Sequence, residues 1–351
     1  MTVLLTENPG YNSYINSLII AYQKAGLDVI CGSNNFFWSN IKPDILHIHW
    51  PERLYKWYVL KKEDEQQFEE IKKRLEWYKQ NGSKIIYTVH NLLPHDSKNP
   101  NTDWKFYNLI IEYADLIHHH CPKSIEYVTE KFPEAKEKQN IVANHGDYLI
   151  DYREEKKETA RIKLGIPRES FVILNFGSQQ NYKGNSIINE TFSKLSIKNK
   201  FLLTAGNFRY DTFPFPKNYI LKILNNLREK NKSNVKKFIL KPIPPKEIPT
   251  IFSASDIVFL GHTEGLTSGV LNLAATFQKP VVFPGIGCFE YQMNNWIYEK
   301  YAAGNVQQAK KAVEKLYGEY QNDNLTTDNT EWLKANSWKI YVNTLLQKIK
   351  Q

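Results

Sequence analysis

The 351-residue chain has no uninterrupted apolar run approaching the ~18 residues that a membrane-spanning helix requires. Its three cysteines, Cys31, Cys121 and Cys288, lie far apart without paired spacing, which suits a reducing compartment and a role as small buried hydrophobes, not a disulfide framework. There is no G-x-x-x-x-G-K-[ST] phosphate loop, no zinc-finger spacing, no RNP motif and no concentrated basic arm, so neither a P-loop nucleotidase nor a nucleic-acid binder is expected. No Asp-x-Asp pair stands at a strand end and no low-complexity tract interrupts the chain. The opening MTVLLTENPGYN lacks a basic n-region and a long apolar stretch, so a cytoplasmic location is expected.

What remains is ordinary soluble composition, 42% hydrophobic and 24% charged, in a chain long enough for two cores. The net charge of +9, from 46 basic against 37 acidic residues, favours anionic partners such as phosphorylated small molecules or an anionic membrane surface. Short apolar runs alternate with helical patterns. TVLL, DVICG, DILHIHW, KIIYTVH, DLIHHHC and QNIVANHG form one series, and FVILNFG, KFLLTAG, KKFILKP, DIVFLGH and PVVFPG a second. Strands separated by helices imply parallel pairing through crossovers, hence an α/β chain of two Rossmann-like doubly wound domains in tandem. The expected divisions are 1–155, 156–328 and a closing helical segment, 329–351.

In an open α/β sheet, ligands bind beyond the carboxyl ends of the strands, and polar residues gather there in this sequence. Pro9-Gly10, His49-Trp50, His90-Asn91, Gly177-Ser178, Gly206-Asn207 and His262 through Glu264 all follow apolar runs. Lys183-Gly184 can open a helix and set one cation near its N-terminus, an arrangement suited to a diphosphate. In GHTEGLTSGVLNLAATFQKPVVFPG, Thr267 or Ser268 can cap a helix running to about Phe277. The backbone donors of Thr267, Ser268 and Gly269 then face an anion, with Glu264 able to take sugar hydroxyls. Asn272, one turn after Ser268, is expected on the same face.

The order strand, Gly-x5-Lys-Gly, helix, then SDIVFLGHTEGLTSGVLNLAATFQKPVV resembles the donor half of GT-B glycosyltransferases, especially the large retaining group with a Glu-x7-Glu motif. PDILHIHWPE, IIYTVHNLLPHD, ADLIHHHCPKSIEYV and IVANHGDY resemble that group's acceptor half, so the likeness spans nearly the whole chain. It implies two Rossmann-like domains facing a central cleft and transfer of a hexosyl group from a UDP- or GDP-sugar to a glycan or lipid-linked acceptor in surface polysaccharide synthesis. No cofactor is implied and no metal, since Lys183 and a helix start take a cation's place. The resemblance places Lys183 on the donor phosphates, Glu264 by the transferred sugar, and Thr267, Ser268 and Gly269 on the diphosphate. Gly10 matches the glycine loop under the phosphates, and His90 the histidine near the reacting centre. His145 stands where the family shows Asn, and Ile243 in KPIPPKE beside the nucleotide base. Two residues depart from the pattern: Ser178 replaces an arginine, and Asn272 replaces the second glutamate.

Retention needs no separate protein base, whereas inversion does, with Asp96, His95 or His90 as candidates. A nucleotide-sugar epimerase and a non-catalytic sugar or polyanion binder are the competing readings. Within His118-His119-His120-Cys121 only His118 and His120 share a strand face, so packed histidines are expected there in preference to a metal site. The segment 50–80 mixes Trp50, Trp57, Tyr58, Trp77 and Tyr78 with lysines and could rest on an anionic membrane as a peripheral contact, but its many glutamates favour a solvated helix with one core-facing stripe. Trp332 and Trp338 are expected to pack the closing helix across both domains.

Overall fold

The computed structural model describes residues 1–10, 12–56, 64–95, 97–149, 152–210, 213–230, 233, 235–322 and 327–350. Two compact units emerge, Met1–Asp151 with Ala335–Gln351, and Tyr152–Lys334. The chain passes from the first unit to the second at 151/152 and returns to the first at Ala335.

In the first unit the elements run β1 (Thr2–Leu5), α1 (Ser13–Lys24), β2 (Asp28–Cys31), α2 (Ser33–Trp38), β3 (Ile45–Ile48), α3 (Glu52–Tyr55) and α4 (Asp64–Gln80). They continue as β4 (Lys84–Val89), α5 (Pro100–Tyr113), β5 (Leu116–His119), α6 (Pro122–Lys131) and β6 (Gln139–Val142). The strands form one sheet in the order β2-β1-β3-β4-β5-β6, parallel throughout. Runs such as ILHI of β3 are buried along their whole length because helices cover both faces. Asn12 starts α1 by accepting the Tyr14 N–H, and α4 buries a stripe through Ile71, Leu75 and Tyr78.

The second unit contains α7 (Lys157–Leu164), β7 (Phe171–Phe176), α8 (Asn185–Lys194), β8 (Lys200–Ala205), α9 (Lys217–Lys230), β9 (Lys236–Ile239) and α10 (Ile248–Ser253). Then come β10 (Ile257–Phe259), α11 (Gly269–Thr276), β11 (Val281–Pro284), α12 (Phe289–Gln292), β12 (Tyr298–Tyr301), α13 (Val306–Gln321) and α14 (Thr330–Ala335). Its sheet, β12-β11-β10-β7-β8-β9, is also parallel and has the strand order of a dinucleotide-binding domain. Both expected Rossmann-like domains are therefore present.

The closing segment differs from the single helix expected. α14 ends at Ala335, and α15 (Trp338–Ile349) begins afresh with the Ser337 hydroxyl accepting the Ile340 N–H. Trp332 belongs to the second unit, where its indole N–H donates to the Gln292 carbonyl at 3.0 Å. Trp338 belongs to the first, donating to the Asp147 carbonyl at 2.6 Å. With Tyr341, Val342 and Leu345 it completes the core around α1 and the sheet. The Tyr341 hydroxyl lies 2.8 Å from that of Tyr14, 3.3 Å from Thr88 Oγ1 and 3.2 Å from His118 Nδ1. A Cβ at residue 146 would collide with the Trp338 indole, so Gly146 is required for this docking.

Trp338→Ala should therefore cost about 3–5 kcal/mol, the usual penalty for emptying a buried tryptophan site. Urea unfolding monitored on the first unit measures it, and a loss below about 1 kcal/mol would remove α15 from that core.

Candidate functional site

Each sheet has one place where strand order reverses, and in this class of fold ligands bind beyond the strand ends there. In the second unit the reversal lies between β7 and β10. β7 is followed by Gly177, which has φ +112°, and a 3-10 turn over Asn181–Lys183 leads to Gly184 at the head of α8. Gly184 has φ +60°, and any Cβ there would strike the Gly261 carbonyl beyond β10. With glycine on both sides, the Lys183 loop closes onto the β10 loop, and the Thr263 N–H donates to the Tyr182 carbonyl at 2.8 Å.

That closure brings Lys183 Nζ within 2.7 Å of His262 Nε2. Lys183 is half-buried, not a solvated surface lysine, and burial lowers its pKa from 10.5 to about 8. His262 is buried between the Tyr182 and Phe289 rings, so the ammonium is aimed by a fixed acceptor. A Cβ on Gly177 would lie 3.7 Å from Val270, which sets the β7 loop against the first turn of α11. Gln179 ties the β8 loop in, its N–H donating to the Asn207 carbonyl at 2.7 Å. Gly206 is buried where a side chain would strike the Gly177 carbonyl, Ser178 is half-buried, and Ile243 is half-buried after β9.

α11 runs over Gly269–Thr276 with Ser268 at its N-cap and Phe277 closing it. The Ser268 side chain makes no capping bond, contrary to one expected option, and its Oγ has no partner among the described residues. The Ser268 N–H donates to Gln292 Oε1 at 3.0 Å, so Gly269 and Val270 are left to present the first-turn donors expected at a helix start. Thr267 is half-buried and Glu264 is exposed on the same loop.

Asn272 departs from the expectation. It is wholly enclosed, its Oδ1 accepting from Gln292 Nε2 at 2.8 Å. The helical period placed it one turn after Ser268 correctly, but the contact from α12 turns that side chain inwards. Gln292 was not singled out in the sequence, and no local pattern marks it.

In the first unit the order reverses between β1 and β3. Gly10 lies in the loop after β1, its N–H donating to Asn16 Oδ1 at 3.0 Å. Around Tyr14, in the first turn of α1, the rings of His90, His145 and Trp338 stand 4.8, 4.9 and 5.1 Å away. His90 stacks on Trp50 at 4.2 Å, and its Nε2 lies 3.1 Å from His49 Nδ1. Burial holds the His90 pKa well below 6.5 and lowers that of His145 to about 4, so both are neutral near pH 7. His95 is exposed, and Asp96 lies outside the described residues.

Glu7 is a residue that no motif in the sequence marks. It is buried two residues after β1, with Oε1 accepting from Thr6 Oγ1 at 3.0 Å and the Trp50 N–H at 3.4 Å. Its Oε2 has no partner among the described residues. Desolvation raises its pKa from 4.5 to about 7, against the opposing pull of Arg53. A carboxyl within two residues of the end of an apolar strand at a reversal point is the signal available in the sequence.

The histidine run behaves as expected. His118 and His120 meet ring to ring at 4.8 Å, while His119 turns the other way to Ser124 and Asn140. Among the described residues no group of three or more His, Cys, Asp or Glu is placed to hold a metal ion. Nor, among them, is any helix long and apolar enough to cross a membrane.

The fold favours protonated Glu7, so this contribution is complete below about pH 4.5 and is lost as pH rises through about 7. Glu7→Gln should thus raise thermal stability at pH 8.5 relative to wild type, by up to about 3 kcal/mol, and leave it little changed at pH 4.5. Melting curves at the two pH values provide the check. An equal effect at both would contradict the assignment.

No protein-family model matches the chain, and no curated protein does. Among solved structures it is similar to sucrose-phosphate synthase from Thermosynechococcus elongatus, with TM-score 0.74 and 13% identity over 99% of this chain and 98% of that one. It is also similar to Anabaena HepE in complex with UDP and glucose, with TM-score 0.71 and 13% identity over 99% of each chain. The UDP-forming α,α-trehalose-phosphate synthase from Burkholderia xenovorans gives TM-score 0.68 and 8% identity over 100% of both. Two parallel Rossmann-like sheets matched over the whole chain to these proteins give the conclusion that this chain has the GT-B fold.

Proposed function

We propose that the protein is a glycosyltransferase that moves a hexosyl group from a nucleotide diphosphate sugar to a glycan or lipid-linked acceptor in surface polysaccharide synthesis. The observation that carries this reading is the Lys183–His262 pair, at 2.7 Å, on loops held against the first turn of α11 at the reversal point of the second sheet. A half-buried ammonium and a helix start suit the diphosphate that leaves when the glycosidic bond breaks, and preorganised charge of this kind stabilises the developing anion. Similar structures have been solved with UDP-glucose, in HepE, and with ADP and acarbose, in Arabidopsis starch synthase IV, which favours a UDP- or ADP-linked donor over the GDP-sugar alternative.

In this reading Lys183 neutralises the diphosphate and His262 fixes the lysine's direction. Gly269 and Val270 present backbone N–H groups, and Glu264 takes hydroxyls of the transferred sugar. Ile243 lies beside the base. On the acceptor side, neutral His90 can share a proton with an acceptor hydroxyl. Retention follows if the acceptor attacks from the leaving-group face, and no metal or other cofactor is required. A lipid-linked acceptor would place this cytoplasmic enzyme at the inner face of the cell membrane. Inversion is the second reading. It gains support from Glu7, a buried carboxyl with pKa about 7, in the range of an effective general base. NMR of the product's anomeric configuration separates the two.

Calorimetry with UDP tests the donor assignment. Lys183→Ala should weaken binding by roughly 10–100-fold, the loss of one charge-assisted contact of about 1.5–3 kcal/mol. Wild-type affinity should fall as pH rises through about 8, where Lys183 loses its proton, and Lys183→Arg should flatten that dependence. Unchanged affinity in Lys183→Ala, or binding in wild type that ignores pH between 7 and 9.5, would overturn the role.

A further inference from the structure

α9 is built the wrong way round for a helix that merely packs against a sheet. Asn225 is its one buried residue, with Asn218 and Leu221 half-buried on the same side. Its large apolar side chains face solvent: Tyr219 is 60% exposed, Ile220 51%, Ile223 45%, Leu224 44% and Leu227 59%. Positions 220, 223, 224 and 227 recur at three and four residues and so form one stripe, opposite the side that meets the body. Phe215, 81% exposed, extends the apolar surface just before the helix. A contiguous apolar patch of this kind marks an interaction surface, not scattered surface hydrophobes.

The charges on the helix decide what it meets. Lys217, Lys222 and Lys230 are basic and exposed, while Arg228 turns back to donate to Asn225 Oδ1 at 3.1 Å. The one acidic residue, Glu229, turns back to the body and accepts the Leu240 N–H at 2.6 Å. A second copy presenting this face would set positive rim against positive rim. The stripe is the convex ridge of a single helix, which a pocket would have to match in shape but a fluid interface need not. We propose that α9 lies on an anionic lipid surface, with its apolar stripe entering the acyl boundary and Lys217 and Lys230, which flank the stripe, meeting the headgroups. The segment read from the sequence as a membrane candidate, 50–80, is a different one, and α4 within it turns Ile71, Leu75 and Tyr78 into the core. The proposal does not depend on the reading of the donor site.

Flotation of the full chain with vesicles gives the test. The protein should rise with vesicles of equal parts phosphatidylcholine and phosphatidylglycerol and remain below with phosphatidylcholine alone. An Ile223→Glu, Leu227→Glu double variant should lose binding by at least roughly tenfold while its melting temperature and UDP affinity stay those of wild type. Failure of wild type to float with the anionic vesicles, or equal flotation of the double variant, overturns the proposal. Sedimentation of wild type as a dimer that the double variant abolishes would also overturn it, by assigning the face to a second copy. Loss of flotation with UDP binding intact separates this surface from the donor site.

Discussion

Between Gly184 and Gly261 two backbones approach with no side chain between them, and the arrangement of the second unit's strand-end loops depends on that contact. A methyl group on either side would push the α8 head away from the β10 loop. Lys183 would then lose His262, and the β7 loop would lose its place beside α11. The parallel sheet supplies the wider condition, because all its strands point the same way and deliver their following loops to one edge. Close approach at that edge therefore follows from two features together, a common strand direction and glycine where the loops meet.

The same edge of the first unit is organised by burial. Tyr14, His49, Trp50, His90, His120 and His145 pack ring against ring, and desolvation keeps the histidines neutral. The helix α15, from the far end of the sequence, closes this cluster with Trp338 and Tyr341. Glu7 enters it as a carboxyl whose ordinary charge is disfavoured.

Much of this was legible in the sequence where the cause is local. Short apolar runs separated by helical periods gave both sheets, and glycines after those runs marked the loops at the strand ends. Lys183 and the start of α11 were found because strand, loop and helix start follow one another directly. What escaped was decided by contacts distant in sequence. Asn272 sits where the helical period puts it, yet Gln292, twenty residues on, encloses it. The break before α15 depends on Ser337 as a cap and on the Asn336 carbonyl accepting the Asp147 N–H, 189 residues away along the chain. The apolar stripe of α9 is visible in the sequence, but a sequence does not show which side of a helix the body covers.

The central claim is that a nucleotide diphosphate binds where the Lys183 loop meets α11. It is tested most directly by following backbone amide resonances while UDP is added. The account predicts the largest shifts at Lys183, Gly184, Gly269 and Val270, with the first unit's histidine cluster little affected. Saturable shifts centred elsewhere, with those four amides unmoved, would contradict it.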